Sequence, residues 1–268
     1  MRASLVALPS AVWLALSAVV ACGGETVAIP IAAAGGSSAE PADSGTGNAD
    51  ASGAGGAGQC VPGRRVLVDE VVNARDLGGT PLADGNTVAC NELFRAAAPA
   101  SLSPAGCAEF ADLGINTVID LRVEAEIASV PHSACVSEQA TIIHAPMPVP
   151  YDVSPEDYIA DLDAVDSVAA SFAVLGDESA YPVYFHCTYG RDRSGVLAAL
   201  VLLALGAQRD AIMTEYELTA VAGLSAFPAS LEAVLDEIDR RGGVQAVLQA
   251  AGVTQNEIDV LRAQVVNR

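Results

Sequence analysis

Tyr181-Pro182-Val183-Tyr184-Phe185-His186-Cys187-Thr188-Tyr189-Gly190-Arg191-Asp192-Arg193-Ser194-Gly195 is the stretch that decides the fold of this chain. Tyr181 to His186 is rich in aromatic and β-branched residues and reads as a strand. Ser194 to Leu205 is apolar nearly throughout and reads as a buried helix. The loop between them opens on Cys187 and closes on Arg193. A loop wrapped on a helix N-terminus turns several N–H groups inward, where the helix dipole adds positive potential. A phosphate dianion fits such a cradle, and the planar Arg193 fork can grip two of its oxygens. The same field suits a thiolate at Cys187, the nucleophilic form. In a chain with six cysteines, a Cys-x5-Arg spacing arises by accident about three times in ten. Requiring His before it and Gly inside and after it lowers the odds to roughly a few in 10⁵.

Working outward, strand and helix signals alternate. Arg65 to Asn73 reads as extended, with Glu92 to Ala96 returning beside it after the Ala83-Asp84-Gly85-Asn86 turn. Ser103-Pro104 opens a helix that closes near Gly114. Thr117 to Leu121 and Ala140 to Ala145 read as strands, and Ser154-Pro155-Glu156 caps one helix running towards Leu175. Gln208 to Arg268 reads as helical, punctuated by Gly223, Pro228, Gly242-Gly243 and Gly252. This order gives an α/β fold with a mainly parallel central sheet flanked by helices.

The N-terminal part has a different character. Arg2 and the apolar run Leu5 to Ala21 have the proportions of a secretory signal, and Val19-Val20-Ala21-Cys22-Gly23 resembles a bacterial lipobox with Cys22 as the lipidated residue. Cleavage after Ala21, with Cys22 an incidental thiol, is the other reading. Residues 23–59 are Gly-, Ala- and Ser-rich and read as a disordered tether, so residues 60–268 hold the folded domain. These features place the domain outside the cytoplasm, lipid-anchored in the cell envelope. All 13 basic residues are arginine, and the net charge is −20. That excludes a nucleic-acid partner, a polybasic membrane-surface helix, a lysine Schiff base and a Walker A loop. Contact with a membrane is expected through the N-terminal lipid alone.

The loop resembles the His-Cys-x5-Arg-Ser/Thr signature of protein tyrosine phosphatases. More narrowly, Asn73-Ala74-Arg75-Asp76-Leu77-Gly78-Gly79 resembles the Asn-x-Arg-Asp-Leu-Gly-Gly box of a bacterial tyrosine phosphatase family. Leu93-Phe94-Arg95, Val118-Ile119-Asp120-Leu121-Arg122 with Glu126, and Glu215-Tyr216-Glu217-Leu218-Thr219 are similar to further segments of that family. The resemblance implies a protein tyrosine phosphatase-like fold without a cofactor. It also implies hydrolysis of a phosphorylated protein or small phosphate ester through a phosphocysteine intermediate. Cys187 is then the nucleophile, and Arg193 with Thr188, Tyr189, Gly190, Arg191 and Ser194 forms the substrate cradle. Ser194 helps the sulfur leave or caps the helix. His186 either tunes the thiol or is a buried structural histidine. The resemblance favours Asp192 as general acid, with Asp152 and Asp157 as alternatives on a separate loop. The family commonly carries lysine where this chain has Arg191, and the segments around the loop look too short for an inserted lid. Phosphoinositide or small-ester hydrolysis, and an inactive phospho-ligand binding module, are the alternative functions. A rhodanese-type sulfurtransferase would carry a shorter cysteine-to-arginine cradle, and a phytase-like role suits an acidic domain poorly.

Arg75 and Arg122 read as ion-pair partners of acids such as Asp76, Asp120 or Glu126. His132 and His144 read as isolated and structural, and no metal set stands out. With Cys22 and Cys187 set aside, Cys60, Cys90, Cys107 and Cys135 remain. The shortest consecutive loops pair Cys60 with Cys90 and Cys107 with Cys135 in an oxidising compartment, and four reduced buried thiols are the other reading.

Overall fold

The computed structural model describes residues 61–67, 70–149 and 152–267. The signal-like segment with Cys22, the tether and Cys60 lie outside these residues.

The elements in chain order are β1 (Arg75–Asp76), β2 (Thr87–Val88), β3 (Leu93–Ala96), α1 (Pro104–Asp112), β4 (Thr117–Asp120), α2 (Glu124–Ser129), α3 (Ala134–Gln139) and β5 (Thr141–His144). There follow α4 (Pro155–Ala160), α5 (Val165–Leu175), β6 (Val183–His186), α6 (Arg193–Leu205), α7 (Arg209–Val221), α8 (Pro228–Arg240), α9 (Val244–Ala250), α10 (Gln255–Val265) and β7 (Val266–Asn267). The five-stranded sheet runs β1-β3-β6-β4-β5. Only β1 is antiparallel, pairing Arg75 with Arg95 and Asp76 with Phe94. The other pairs are parallel, so β6 lies at the centre between β3 and β4. This is the mainly parallel α/β architecture expected from the alternation of elements.

Alternation along the strands sorts the core into two layers. Val183 and Phe185 of β6, with Leu93, Ile119 and Leu121, face the larger core built with α5, α6, α8, α9 and α10. Tyr184, Phe94 and Val118 face a smaller one with Phe110 of α1 and Val136 of α3. Helix α6 is buried along nearly its whole length and ends on Gly206, which takes the left-handed conformation at φ +93°. Burying each of its leucines contributes about 1.5–3 kcal/mol. That anchorage fixes the loop in front of it.

Local signals held where a cap was written in the sequence. The Ser103 hydroxyl accepts from the Ala105 and Gly106 amides ahead of α1, and Ser154 and Asp157 cap α4 reciprocally. Other boundaries moved. Among its described residues, Arg65 to Asn73 forms no strand: Leu67 (φ +51°) and Asn73 (φ +60°) take left-handed backbone, and the pairing described there is an Arg65–Arg75 bridge. The single helix expected from Ser154 to Leu175 is two, α4 and α5, separated by a 3-10 turn at Asp161–Asp163. Aspartates are poor helix formers, and Ala164 leaves the helical region at ψ +57°. The helical run expected from Gln208 also gives way at Val266–Asn267 to a strand, β7, which pairs with β2.

Cys107 of α1 is disulfide-bonded to Cys135 of α3, with the two Cα atoms 5.9 Å apart. Cys90 is also disulfide-bonded. Cys60, the partner expected for it, lies outside the described residues. Cys187 is a free, buried thiol.

Candidate active site

Strand β6 ends at His186 and α6 begins at Arg193, so residues 187–192 form the connecting loop at the helix N-terminus. The Cys187 side chain is buried at the start of that loop. The loop carbonyls are tied outward: the Asn73 amide donates to Gly190 O at 2.8 Å and to Tyr189 O at 3.3 Å. Arg95 donates to Gly190 O at 2.9 Å and to Arg191 O at 3.2 Å. In a trans peptide the following N–H points opposite to the carbonyl, so the amides of Gly190, Arg191 and Asp192 turn inward. Gly190 is itself left-handed, and a Cβ there would collide with the backbone carbon of Ala96.

Arg95, which holds the loop directly, and Arg75, which holds Asn73, meet on one carboxylate. Glu215 of α7 accepts from Arg75 Nε and from Arg95, both at 2.6 Å, and all three side chains are at most 5% exposed. Arg75 also donates to the Asn73 side chain. Burial and the neighbouring Arg95 charge bring Arg75 down to about 10, and the two guanidinium groups hold Glu215 below the usual carboxylate range against its burial. Arg75 therefore pairs with Glu215 and not with Asp76, whereas Arg122 pairs with Asp120 as its sequence neighbourhood suggested.

Arg193 sits at the far end of the loop. Its two terminal nitrogens meet the two Glu126 oxygens at 2.6 and 2.7 Å, and it also donates to Leu121 O at 3.3 Å. The Thr188 hydroxyl donates to the same Glu126 carboxylate. Although partial burial opposes ionisation, these donors bring Glu126 down to about 2, and Arg193 is held further above its ordinary value. Arg193 Nε is buried without a partner. Ser194 Oγ is likewise buried without a partner and lies inside the first turn of α6, whose N-cap is Asp192. Ser194 is thus not the helix cap, and it makes no hydrogen bond to the sulfur.

Asp192 is engaged on both oxygens. Arg191 donates to Oδ1 at 2.7 Å and to Oδ2 at 3.1 Å, and Tyr158 O–H donates to Oδ1. Tyr158 and Tyr216 hydroxyls lie 2.7 Å apart. Arg191 is further held by Ser225 O at 3.2 Å and stacks on Phe227 at 4.6 Å, with Tyr189 at 5.8 Å. Tyr189 is 52% exposed at the mouth of the loop. The two alternative acids stand elsewhere. Asp157 Oδ2 accepts from the Asp152 amide at 2.8 Å, within the start of α4, and Asp152 itself is exposed.

His186 is fully buried, and its Nδ1 lies 3.1 Å from Cys187 O, so Nδ1 carries the proton and Nε2 accepts. Its Nε2 lies 2.9 Å from His132 Nε2, which fixes His132 as the donor. Burial pushes His186 down to about 3, so it is neutral at physiological pH. His132 is therefore not isolated; it packs against His186, the residue before Cys187. His144 Nε2 donates to Arg122 O at 2.7 Å, a structural contact. Asp120, His132 and His186 gather three donor atoms within 4.8 Å, the geometry of a metal set. Both Asp120 oxygens already accept from Arg122, however, at 2.8–3.2 Å. That fixed guanidinium repels a divalent cation.

Two residues escaped the sequence reading. His132 is 54 positions from its partner His186, and a lone histidine carries no periodic or spacing signal. Asp161 is 2% exposed, its Oδ1 has no partner, and it is electrostatically coupled to Arg193, Asp192 and Asp157. Nothing in the acid-rich run from Asp152 to Asp166 distinguishes it.

A thiol and a guanidinium at the two ends of an inward-facing amide loop, set on a parallel sheet, define a phosphate-handling α/β enzyme. The sequence model of the Tyrosine phosphatase family matches residues 66–267, and this chain belongs to that family: it is a phosphatase. It is 28% identical over 208 residues to a protein of Cupriavidus necator that is named, by inference, a tyrosine-protein phosphatase, covering 66% of this chain and 76% of that one. Among solved structures, the core catalytic domain of the PP-IP phosphatase SIW14 from S. cerevisiae matches at 13% identity and a TM-score of 0.37, over 59% of this chain and 90% of that one. TpbA of P. aeruginosa matches at 18% identity and a TM-score of 0.37, over 62% of this chain and 90% of that one.

Proposed function

We propose that the chain hydrolyses phosphomonoesters through a phosphocysteine intermediate on Cys187, with phosphotyrosine-type esters as favoured substrates. The observation that carries this reading is the outward tethering of the Tyr189, Gly190 and Arg191 carbonyls, which leaves inward amides between Cys187 and Arg193. The substrate phosphoryl group sits on those amides and on Arg193, whose unpartnered Nε supplies a further donor. Cys187 attacks phosphorus in line, the ester oxygen leaves with a proton from a carboxylic acid, and water then releases phosphate.

The mouth of the loop supports the aryl preference. Arg191 is committed to Asp192, Ser225 O and the Phe227 ring, so its fork is not free to clamp a second phosphate. The exposed Tyr189 offers a face for an aromatic leaving group. Polyphosphorylated inositides gain little there. Secretion and lipid anchoring at Cys22 complete the proposal, resting on the lipobox-like sequence alone.

Cys187→Ser and Arg193→Lys test the reading. Both variants are expected to fold and to lose nearly all turnover of aryl phosphates, because a hydroxyl is a far weaker nucleophile and an ammonium cannot reproduce the planar fork. Rapid-quench trapping of a phosphoenzyme on wild-type Cys187 separates an enzyme from a phospho-ligand binder. Wild-type-like turnover in either variant ends the assignment.

A further inference from the structure

We propose that Asp161, and not Asp192, donates the proton to the leaving oxygen. The proposal rests on the phosphomonoesterase reading above.

A general acid must hold a proton at the working pH and be free to give it away. Asp192 is not free in this way: the Arg191 fork and the Tyr158 hydroxyl present three donors to its two oxygens. Asp157 Oδ2 accepts from the Asp152 and Ser154 amides at the start of α4, and Asp152 is exposed next to it. Asp161 differs from all three. It closes α4 and opens the 3-10 turn that packs against α6, the helix that begins with Arg193. It is buried, and its Oδ1 has no hydrogen-bond partner.

The charged groups facing it are Arg193 of α6, Asp192 of the loop and Asp157 of α4. Burial, reinforced by the two aspartates, holds Asp161 well above the usual carboxylate range, and Arg193 opposes this only in part. That environment favours the protonated, proton-donating form of its carboxyl. Arg193 is also coupled to Cys187, so the nucleophile and Asp161 flank one guanidinium. Two buried polar atoms lack partners around that guanidinium, Arg193 Nε and Asp161 Oδ1. An unpaired buried polar atom costs about 1–3 kcal/mol, and a bound phosphomonoester relieves both. A phosphoryl oxygen accepts from Arg193 Nε, and the bridging oxygen accepts from the Asp161 carboxyl.

The step then balances. The sulfur–phosphorus bond forms as the phosphorus–oxygen ester bond breaks, and the Asp161 proton passes to the departing oxygen, giving a neutral alcohol and an Asp161 carboxylate beside Arg193. In the second step water attacks phosphorus and returns a proton to Asp161. The sulfur–phosphorus bond breaks, and thiolate and inorganic phosphate separate.

The test is the kcat ratio of p-nitrophenyl phosphate, whose leaving group needs no proton, to phenyl phosphate, whose leaving group does. The purified chain is compared as wild type, Asp161→Asn and Asp192→Asn. For Asp161→Asn, phenyl phosphate turnover is expected to fall about 10²–10³-fold and p-nitrophenyl phosphate turnover far less. The alkaline limb of its kcat–pH profile is expected to disappear. Asp192→Asn is expected to keep the wild-type ratio. Because both substrates read the same sample, partial unfolding of a variant cancels from the ratio. An unchanged ratio and alkaline limb in Asp161→Asn overturn the proposal, as does a raised ratio in Asp192→Asn alone. A wild-type chain with no turnover of either substrate sinks the underlying reading instead.

Discussion

Gly190 joins two demands that a single residue type can meet. Its φ of +63° is left-handed, and its α-carbon packs against the Ala96–Ala97 peptide of β3 with no room for a side chain. The conformation alone costs an L-residue about 1–2 kcal/mol, and the contact with backbone cannot be relieved by a rotamer change. Gly190→Ala is therefore expected to displace the loop from β3 and lower kcat/KM by about 10²-fold, the usual consequence of a misplaced reacting group. Steady-state kinetics alongside a thermal melt checks this, and unchanged kinetics would show that the loop does not depend on this contact. The same scale separates legible from illegible site residues. Cys187, Arg193 and Gly190 share one short segment, so their spacing announces a cradle. His132 and Asp161 reach the same place from other segments, and their identity alone says nothing about burial.

Helices α1 and α3 are short, and neither can bury enough apolar surface to hold itself against the sheet. The Cys107–Cys135 bridge joins them across 28 positions of chain. A loop of that size is worth about 3.5 kcal/mol in the chain-entropy account. The double variant Cys107→Ser/Cys135→Ser is expected to melt roughly 6–12 °C lower. Differential scanning calorimetry without reductant reads this directly, and an unshifted transition would refute it. Capping residues made α1 and the start of α4 legible in advance. The break between α4 and α5 was not, because isolated aspartates inside a helical pattern weaken it without ending it. Packing of the 3-10 turn against α6 decides the matter.

Glu215 ties distant parts of the domain into one support. It joins Arg75 beside the Asn73 box, Arg95 on β3 and helix α7, and through Asn73 and Arg95 it reaches the loop carbonyls. Removing its charge leaves two buried guanidinium groups facing a neutral amide. Glu215→Gln is expected to cost about 3–5 kcal/mol of stability. Activity is expected to fall in the fraction that stays folded, since the loop loses its fixed anchors. Urea unfolding with activity normalised to folded protein measures both. A variant with wild-type stability would mean the triad is replaceable, as some buried ion pairs are.

The sequence by itself determined the strands β3, β4, β5 and β6, the capped start of α1, the apolar α6, and the cysteine-to-arginine loop on its N-terminus. Each follows from local rules: residue periodicity, capping chemistry and the spacing of groups within a few turns of chain. The Cys107–Cys135 pairing was also legible, as a short consecutive loop. Tertiary structure alone decided which acid of the run from Asp152 to Asp166 is buried with an unpartnered oxygen, that His132 meets His186, and that Arg75 pairs with Glu215, 140 positions away. The physical reason is common to all three. Proton affinity and ion pairing are set by desolvation and by the charges within a few ångströms, and those neighbours are brought together only when β3, β6, α4 and α7 pack around one loop.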